Sequence, residues 1–200
     1  TTTTTTTTID YKEEAKELRK KYEEEFPNGT PLVCACEKGR FEDVKLLITG
    51  HKIVIDSNGN NNNMTLKEYV SQVGKRIDGY EFTPLMMAAM NEHFQIVKYL
   101  IEQCEADPNI ADCDGYNALH YAAYLNRTTE LIQLLLTNMS LDSINKKTSR
   151  SEFTPLDMAY YTDSPLRQEI IALIRSKGGK ANCHDANGRW VGKGNGDLNN

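Results

Sequence analysis

Apolar residues recur in four clusters along this chain, and within each cluster they follow the three- and four-residue spacing of a helix buried on one face. The clusters occupy residues 41–48, 94–101, 131–136 and 170–174. A shorter block rich in small residues begins 11 to 16 residues before each cluster. The pattern predicts four pairs of helices, each followed by a polar, turn-rich segment.

The shorter blocks have similar sequences. They read TPLVCAC, TPLMMAA, NALHYAA and TPLDMAY, from Thr30, Thr83, Asn117 and Thr154. Two are preceded by the same residues, so the pentapeptide EFTPL occurs twice, at 81–85 and 152–156. Threonine caps a helix by accepting hydrogen bonds from its first amides, and proline at the first helical position loses only an amide that would have no partner. Each block therefore predicts the start of a short helix.

The blocks begin 53, 34 and 37 residues apart. In the second block, Leu85, Ala88 and Ala89 share a helical face, and the small alanines allow a second helix to approach closely. In these features the chain resembles the ankyrin repeat family. That family has such helix pairs, a T-P-L-H-x-A signature and a period of about 33 residues. The resemblance implies an all-α fold, an ankyrin-repeat solenoid of stacked helix-turn-helix units with hairpin-like fingers and an N-terminal capping helix.

The resemblance and the composition together predict the domain organisation. We expect a low-complexity threonine tail (1–9), an amphipathic capping helix (10–27), repeat 1 (28–56), an asparagine-rich insertion with a short helix (57–77), repeat 2 (78–111), repeat 3 (112–148), repeat 4 (149–184), and a partial repeat with a flexible tail (185–200). The threonine run, residues 1–8, is expected to be disordered. Because the chain starts at Thr1, we expect it to be a fragment or an expressed segment of a longer protein.

Two segments outside the repeats are predicted to be helical. Tyr11, Ala15, Leu18 and Tyr22 form an apolar stripe opposite many glutamates and lysines, which favours a helix that covers the first repeat. A coiled-coil arm is the alternative, although only about two heptads are present. The insertion contains a run of asparagines at 60–63. Beyond that run, a second apolar face is formed by Leu66, Tyr69, Val70 and Val73.

The signature histidine of the family is present only as His120. Val33, Met86 and Asp157 replace it in the other blocks. In the family this histidine joins neighbouring repeats by hydrogen bonds, so the resemblance implies weaker or differently packed junctions at the three replaced positions. In repeat 4 the turn between the helices is lengthened, and Pro165 with its neighbours is expected to begin the next helix.

Charge and hydropathy exclude several classes of protein. The chain has 23 basic and 28 acidic residues and a formal net charge of −5, and it has no basic face of the kind that binds nucleic acid. No apolar run reaches the roughly 20 residues of a membrane span, and no signal peptide is recognisable. Five cysteines at irregular spacings suit a reducing compartment. We expect a soluble, monomeric protein of the cytoplasm or the nucleus.

No motif of catalysis or of metal binding is recognisable. Cys34 and Cys36 point about 200° apart on a helix, so they cannot bind one metal ion together. The four histidines have no serine, cysteine and acid arrangement that would suggest a catalytic triad. The alternate glycines from Gly192 lack the strand and helix of a phosphate-binding loop. We therefore expect no cofactor, no metal and no enzymatic activity.

The resemblance implies that another protein is the partner, bound by the concave face and the finger tips of the repeats. By position, it assigns partner binding to the residue before each helix start and to the residue after the two small ones. The candidates, with one finger-tip tyrosine, are Tyr80, Phe82, Met90, Tyr116, Tyr124, Phe153 and Tyr161. Asp112, Asp114, Lys147, Arg150 and Glu152 are candidates for a polar rim. The alternative is that the rings only pack against adjacent fingers.

Two classes of function are compatible with these expectations. The first is a free-standing interaction module, an adaptor or a scaffold. The second is a targeting or regulatory segment of a larger enzyme, channel or ubiquitin-ligase component. Catalysis by the segment itself would rest only on its scattered cysteines and histidines.

Overall fold

The structure is a computed structural model that describes residues 3–58, 65–76, 78, 80–125 and 127–192. Helices dominate the described residues, which include one sheet of two short strands. The predicted all-α fold is confirmed. The backbone forms two compact units, Thr1–Asp107 and Pro108–Asn200. None of the described helices combines the length and the apolar character that crossing a membrane requires.

The first unit contains the N-terminal helix, two helix pairs and the insertion. Its elements are α1 (Thr3–Glu25), α2 (Pro31–Glu37), α3 (Phe41–Asn58), α4 (Leu66–Ser71), β1 (Gly74–Lys75), β2 (Glu81–Phe82), α5 (Pro84–Met90) and α6 (Phe94–Glu102). The second unit contains the other two pairs and a short additional helix. Its elements are α7 (Ala118–Leu125), α8 (Thr129–Asn138), α9 (Leu141–Ile144), α10 (Pro155–Tyr160) and α11 (Arg167–Ser176).

In each unit the shorter helices of successive repeats pack side by side. Helix α2 lies against α5 in the first unit, and α7 lies against α10 in the second. The leucine of each signature, which is Leu32, Leu85, Leu119 or Leu156, is at most 2% exposed. Burial of a leucine side chain contributes roughly 2 kcal/mol. The repeated leucine therefore forms the core between neighbouring repeats.

Two of the signature threonines cap their helices as predicted. The Thr83 and Thr154 hydroxyls accept hydrogen bonds from the amides of Met86 and Asp157, at 3.1 and 3.2 Å. Thr30 makes no side-chain cap. Its hydroxyl instead accepts a hydrogen bond from the amide of Lys75 at 2.9 Å, so the first signature threonine joins helix α2 to the insertion.

The insertion forms helix α4 and one strand of the sheet. Thr65 and Glu68 cap α4 reciprocally, and β1 pairs antiparallel with β2. Val70 is buried in α4, but Val73 is 39% exposed because the helix ends at Ser71, two residues earlier than its predicted face requires. The asparagine run lies outside the described residues.

Fingers precede and follow the helices of the second unit. In the finger before α7, the amide of Asp112 donates to the carbonyl of Tyr116 at 2.8 Å, and Gly115 has a φ of +87°. In the finger after α11, the amide of Asp185 donates to the carbonyl of Arg189 at 3.0 Å, and Gly188 has a φ of +77°. Left-handed backbone of this kind favours glycine. Each finger is thus a tight hairpin-like turn.

Helix α1 packs mainly on α3. The Tyr22 hydroxyl donates to the Asp43 carboxylate at 2.8 Å, and Arg40 donates two hydrogen bonds to Glu25 at 3.0 and 3.2 Å. The helix begins at Thr3, so the expected disorder of the threonine run is wrong for residues 3–8. Once a helix is nucleated, each added residue gains a hydrogen bond, which carries helix α1 into a sequence of modest helix propensity.

The contact between α1 and α3 gives the first prediction. An alanine at Gly50 would place its methyl carbon against that of Ala15, closer than two carbon atoms can approach. Alanine favours a helix by about 1 kcal/mol over glycine, but overpacking of this severity costs about 1–3 kcal/mol. We expect Gly50→Ala to lower the free energy of unfolding by about 1 kcal/mol.

Urea unfolding followed by circular dichroism measures the effect of Gly50→Ala. The control is Thr49→Ala, one position earlier in the same helix, which raises helix propensity without approaching Ala15. A Gly50→Ala protein that is as stable as the unchanged chain would contradict the close packing of α1 on α3.

Candidate partner-binding site

Four predicted partner-binding residues lie in the second unit, at equivalent positions of its two repeats. Tyr116 and Phe153 precede α7 and α10, whereas Tyr124 lies in the last turn of α7 and Tyr161 is the C-cap residue of α10. The two buried alanines before Tyr124 and the buried alanine at 159 fix the packed faces of these helices. The tyrosines that follow are therefore directed away from the helix–helix contact.

The two C-terminal tyrosines are the exposed members of the set. Tyr124 is 52% exposed and Tyr161 is 50% exposed, whereas Tyr116 and Phe153 are half-buried. A groove of about 480 Å³ lies at these tyrosines. It is lined by Tyr124, Leu125, Arg127, Tyr161, Thr162, Asp163, Ser164 and Pro165. The two turns that join the helices of repeats 3 and 4 thus form its walls.

Hydrogen bonds close the turn that forms one wall of the groove. The Thr162 hydroxyl accepts from the Ser164 amide at 3.3 Å, and the Ser164 hydroxyl accepts from the Leu166 amide at 3.2 Å. Arg167 donates to the Thr162 carbonyl at 3.2 Å and lies 3.7 Å from the Asp163 carboxylate. The sequence predicted that this helix begins at Pro165 and its neighbours. Helix α11 begins at Arg167, two residues after Pro165. The lengthened turn is a defined structure.

An aromatic cluster continues from Tyr161. The ring centroids of Phe153 and Tyr161 are 5.2 Å apart, and Trp190 meets Phe153 edge-on at 5.8 Å. His184 lies 5.3 Å from Tyr161 and 5.4 Å from Trp190, again edge-on. Trp190 is 53% exposed. We call Tyr124, Phe153, Tyr161 and Trp190 the aromatic row.

Sequence reasoning did not assign Trp190 to the site. In the two fingers Asp185 and Gly188 match Asp112 and Gly115, which places Arg189, and not Trp190, at the position of Tyr116. A single tryptophan directly after a finger was the available signal. Its contact with Phe153 depends on how the last finger folds back, which periodicity does not reveal.

Asp157 holds that last finger in place. Its carboxylate accepts hydrogen bonds from the amides of Asn182 and Cys183, at 2.8 and 2.9 Å, and from Nδ1 of His184 at 2.8 Å. It also accepts from the Thr154 amide at 2.9 Å. Burial by itself raises the pKa of this carboxyl, but these hydrogen bonds outweigh it and hold the pKa below its ordinary value. The expected weaker junction is thus differently bonded, with several donors on one carboxylate.

His120 occupies the equivalent position in α7. Its Nδ1 lies 3.2 Å from the Asn117 amide, and its Nε2 lies 3.1 Å from the Phe153 carbonyl. With hydrogen on Nε2, the ring donates to the Phe153 carbonyl and Nδ1 accepts from the Asn117 amide. The Asn117 Oδ1, 2.8 Å from Nδ1, then accepts its hydrogen bond from the amide of His120 at 3.2 Å. Burial lowers the pKa of His120 to about 4. A neutral histidine therefore joins α7 to the finger that carries Phe153.

The polar rim is partly structural. Asp112 accepts hydrogen bonds from the amides of Asp114 and Tyr116 and from the Tyr121 hydroxyl, so its carboxylate stabilises its own finger. Burial, together with this hydrogen bond, raises the pKa of Tyr121. Arg150 is 90% exposed and lies 3.9 Å from Asp114. The rim offers paired charges near the aromatic row.

The candidates in the first unit differ from one another. Tyr80 is 64% exposed and Met90 is half-buried, but Phe82 is only 8% exposed. Phe82 lies in β2, where it pairs with Gly74 of β1. The expected exposure of this ring is therefore wrong, because the insertion supplies a strand beside it. The two copies of EFTPL place their phenylalanines in different surroundings.

The cysteines lie apart from any candidate chemistry. Cys34 and Cys36 are buried, and burial raises the pKa of the Cys34 thiol to about 11. Within the described part of the chain, no group of three or more histidine, cysteine or acidic side chains could hold a metal ion. The cysteines of the described residues therefore take part in no metal site of this kind.

Comparisons with known proteins identify a family and a curated relative. The family described as ankyrin repeats (3 copies) matches residues 8–112, 57–148 and 85–187. The relative is the palmitoyltransferase AKR1 of Debaryomyces hansenii, which is 29% identical over 139 residues. That alignment covers 60% of this chain and 17% of the relative. The chain thus corresponds to less than a fifth of the length of that protein.

Proposed function

Because this chain belongs to the ankyrin repeat family, we propose that it is a protein-interaction module whose second unit binds a partner protein through the aromatic row. Ankyrin repeats stack helices so that fingers and shorter helices form an extended binding surface. Tyr124 and Tyr161 lie on the shorter helices, while Phe153 and Trp190 lie at the fingers. That placement supports the proposed adaptor or scaffold role.

The pair of half-exposed tyrosines beside the groove is the observation that carries this proposal. Exposed aromatic side chains have few rotatable bonds and a large contact area, and they supply much of the energy of protein interfaces. Neither tyrosine is needed to fill the core, since leucines and alanines already do so in both repeats. Partner binding accounts for two large rings at equivalent exposed positions.

We expect Tyr124→Ala and Tyr161→Ala each to weaken partner binding by about tenfold or more. Tyr124→Ala should change the free energy of unfolding by less than about 0.5 kcal/mol, and Tyr161→Ala by about 1 kcal/mol, since Tyr161 also contacts Phe153 and His184. The measurement is quantitative affinity capture from lysate of the native cell, with thermal unfolding in parallel.

The matched control is Leu141→Ala. Leu141 is 58% exposed in the same unit, but it does not line the groove. Its replacement should leave the captured proteins unchanged. If the tyrosine variants retain every captured partner, or lose binding only because they unfold, the packing role of these rings is the correct one.

A second candidate function is the targeting or regulatory segment of a larger enzyme. It is favoured by the alignment with a palmitoyltransferase over 17% of that protein's length. The full reading frame tests it, because a catalytic region beyond these residues would be visible there. The segment itself is proposed to be non-catalytic, and turnover abolished by a single cysteine or histidine substitution would contradict this.

The cellular location and the oligomeric state belong to the same proposal. We propose that the protein is cytoplasmic. The location of the tagged chain in its native cell tests this. We also propose a monomer, which light scattering during size-exclusion chromatography measures.

A further inference from the structure

We propose that the groove beside Tyr124 and Tyr161 binds an extended, proline-rich segment of low charge in the partner protein. This inference rests on the proposed function and specifies the chemistry of the partner. The groove has a tyrosine from each repeat, and the backbone of one wall ends at Pro165. Its volume of about 480 Å³ suits a narrow segment rather than a folded domain.

Charges around the groove do not select a charged partner. The two charged residues that line the groove, Arg127 and Asp163, have opposite signs, and Asp163 is paired with Arg167 at 3.7 Å. Residues 108–200 contain ten acidic and ten basic residues, so the second unit has no net charge to attract an acidic or a basic peptide over a distance. The selectivity must therefore come from contacts inside the groove.

The tyrosine rings are the main contact surface that remains. The polar atoms of the 162–166 turn already bond one another, as the contacts of Thr162, Ser164 and Arg167 demonstrate. Among the described residues, lysine and arginine lie over the rings of Phe26, Tyr22 and Phe41, all in the first unit. Beside the oppositely charged Arg127 and Asp163, what the groove offers is thus aromatic faces and tyrosine hydroxyls.

A polyproline II segment matches these groups. Its backbone has no internal hydrogen bonds, so its carbonyls can accept hydrogen bonds from tyrosine hydroxyls. Its proline rings are apolar and pack against aromatic faces, which is how aromatic-lined grooves bind such segments. Because the conformation exists before binding, little conformational entropy is lost. An amphipathic helix is a poorer match, since its carbonyls are already bonded within the helix.

The test uses the complete 200-residue chain and three synthetic peptides of about ten residues, which is roughly 30 Å of polyproline II. The first repeats Pro-Pro-Leu, the second has alanine for every proline, and the third has lysine for every leucine. Calorimetry measures each affinity. Fluorescence of Trp190, the one tryptophan of the sequence, reports whether the ligand reaches the aromatic row.

We expect the Pro-Pro-Leu peptide to bind at least about tenfold more tightly than the alanine and the lysine peptides. Tyr124→Ala and Tyr161→Ala should each weaken it by about tenfold, whereas Tyr124→Phe, which keeps the ring and removes the hydroxyl, should weaken it by about threefold. Leu141→Ala, which alters an exposed side chain outside the groove, should bind it unchanged.

Three outcomes would overturn the inference. They are equal binding of the proline and alanine peptides, tighter binding of the lysine peptide, and unchanged binding by the tyrosine variants. If native partners are still lost from the tyrosine variants while the proline peptide fails to bind, the partner chemistry is wrong and the interaction module remains. If the variants lose neither, both proposals are wrong.

Discussion

Replacing Asp157 with alanine is expected to destabilise the second unit by about 3–5 kcal/mol, because it removes the one acceptor that several buried donors share. The side chain is fully buried in α10. Its loss leaves the amides of Asn182 and Cys183 without their acceptor, together with Nδ1 of His184. Buried donors without partners each cost about 1–3 kcal/mol, so the finger that carries Trp190 should detach first.

The substitution Asp157→His tests whether this position requires a carboxylate or accepts the histidine that is usual in the family. Histidine is the signature residue at this position, and it occurs there in repeat 3 as His120. A neutral imidazole has one acceptor nitrogen and one donor, however, whereas the last finger directs several donors at residue 157. We therefore expect the family residue to destabilise the unit by at least about 2 kcal/mol.

The measurement for both Asp157 variants is urea unfolding followed by Trp190 fluorescence, since Trp190 contacts His184 beside the substituted carboxylate. Asp163→Ala is the control, because its side chain is fully exposed and its pair with Arg167 should contribute less than about 1 kcal/mol. An Asp157→His protein as stable as the unchanged chain would mean that the carboxylate is not what holds the finger.

The helix pairs were predictable from the sequence because their causes are local. Threonine and proline at Thr83–Pro84 and Thr154–Pro155 specify where a helix starts through bonds that span only three residues. The apolar spacing in 94–101 and 131–136 specifies which face is buried. Repetition then strengthens each assignment, since the same pattern recurs in register.

The parts that could not be predicted depend on pairing between distant residues. Phe82 is buried because β1, from the insertion, pairs beside it. Thr30 bonds to Lys75 instead of capping its helix, although its local sequence equals that of the other signatures. No periodicity encodes either contact, because both join residues that the insertion brings together.

The candidate site also has a part that the sequence predicts and a part that it does not. Position within the repeat was enough to select Tyr124 and Tyr161, since the residue after the buried alanines must leave the packed face of the helix. Trp190 joins them only through the fold of the last finger, which rests on Asp157. The aromatic row thus combines residues that the repeat pattern reveals with one that requires the tertiary structure.

The protonation of His120 makes the stability of the second unit depend on pH. In the folded protein burial lowers its pKa to about 4, whereas an unfolded histidine has a pKa of about 6.5. Between these values the unfolded chain binds a proton that the folded chain excludes, so stability falls as the pH falls from about 6.5 to about 4. The shift corresponds to a loss of about 3 kcal/mol from this one residue.

Urea midpoints of the unchanged chain and of His120→Gln, measured by Trp190 fluorescence at about pH 7, 5.5 and 4.5, isolate this contribution. Glutamine at the third position of a helix can still bond to the capping residue, but it does not titrate. Other titrating groups contribute equally to both proteins, so their difference in stability should shrink by about 2–3 kcal/mol upon acidification. Parallel pH profiles would contradict the neutral, buried histidine, because the folded chain would then accept a second proton at Nδ1, which lies 2.8 Å from the Asn117 Oδ1.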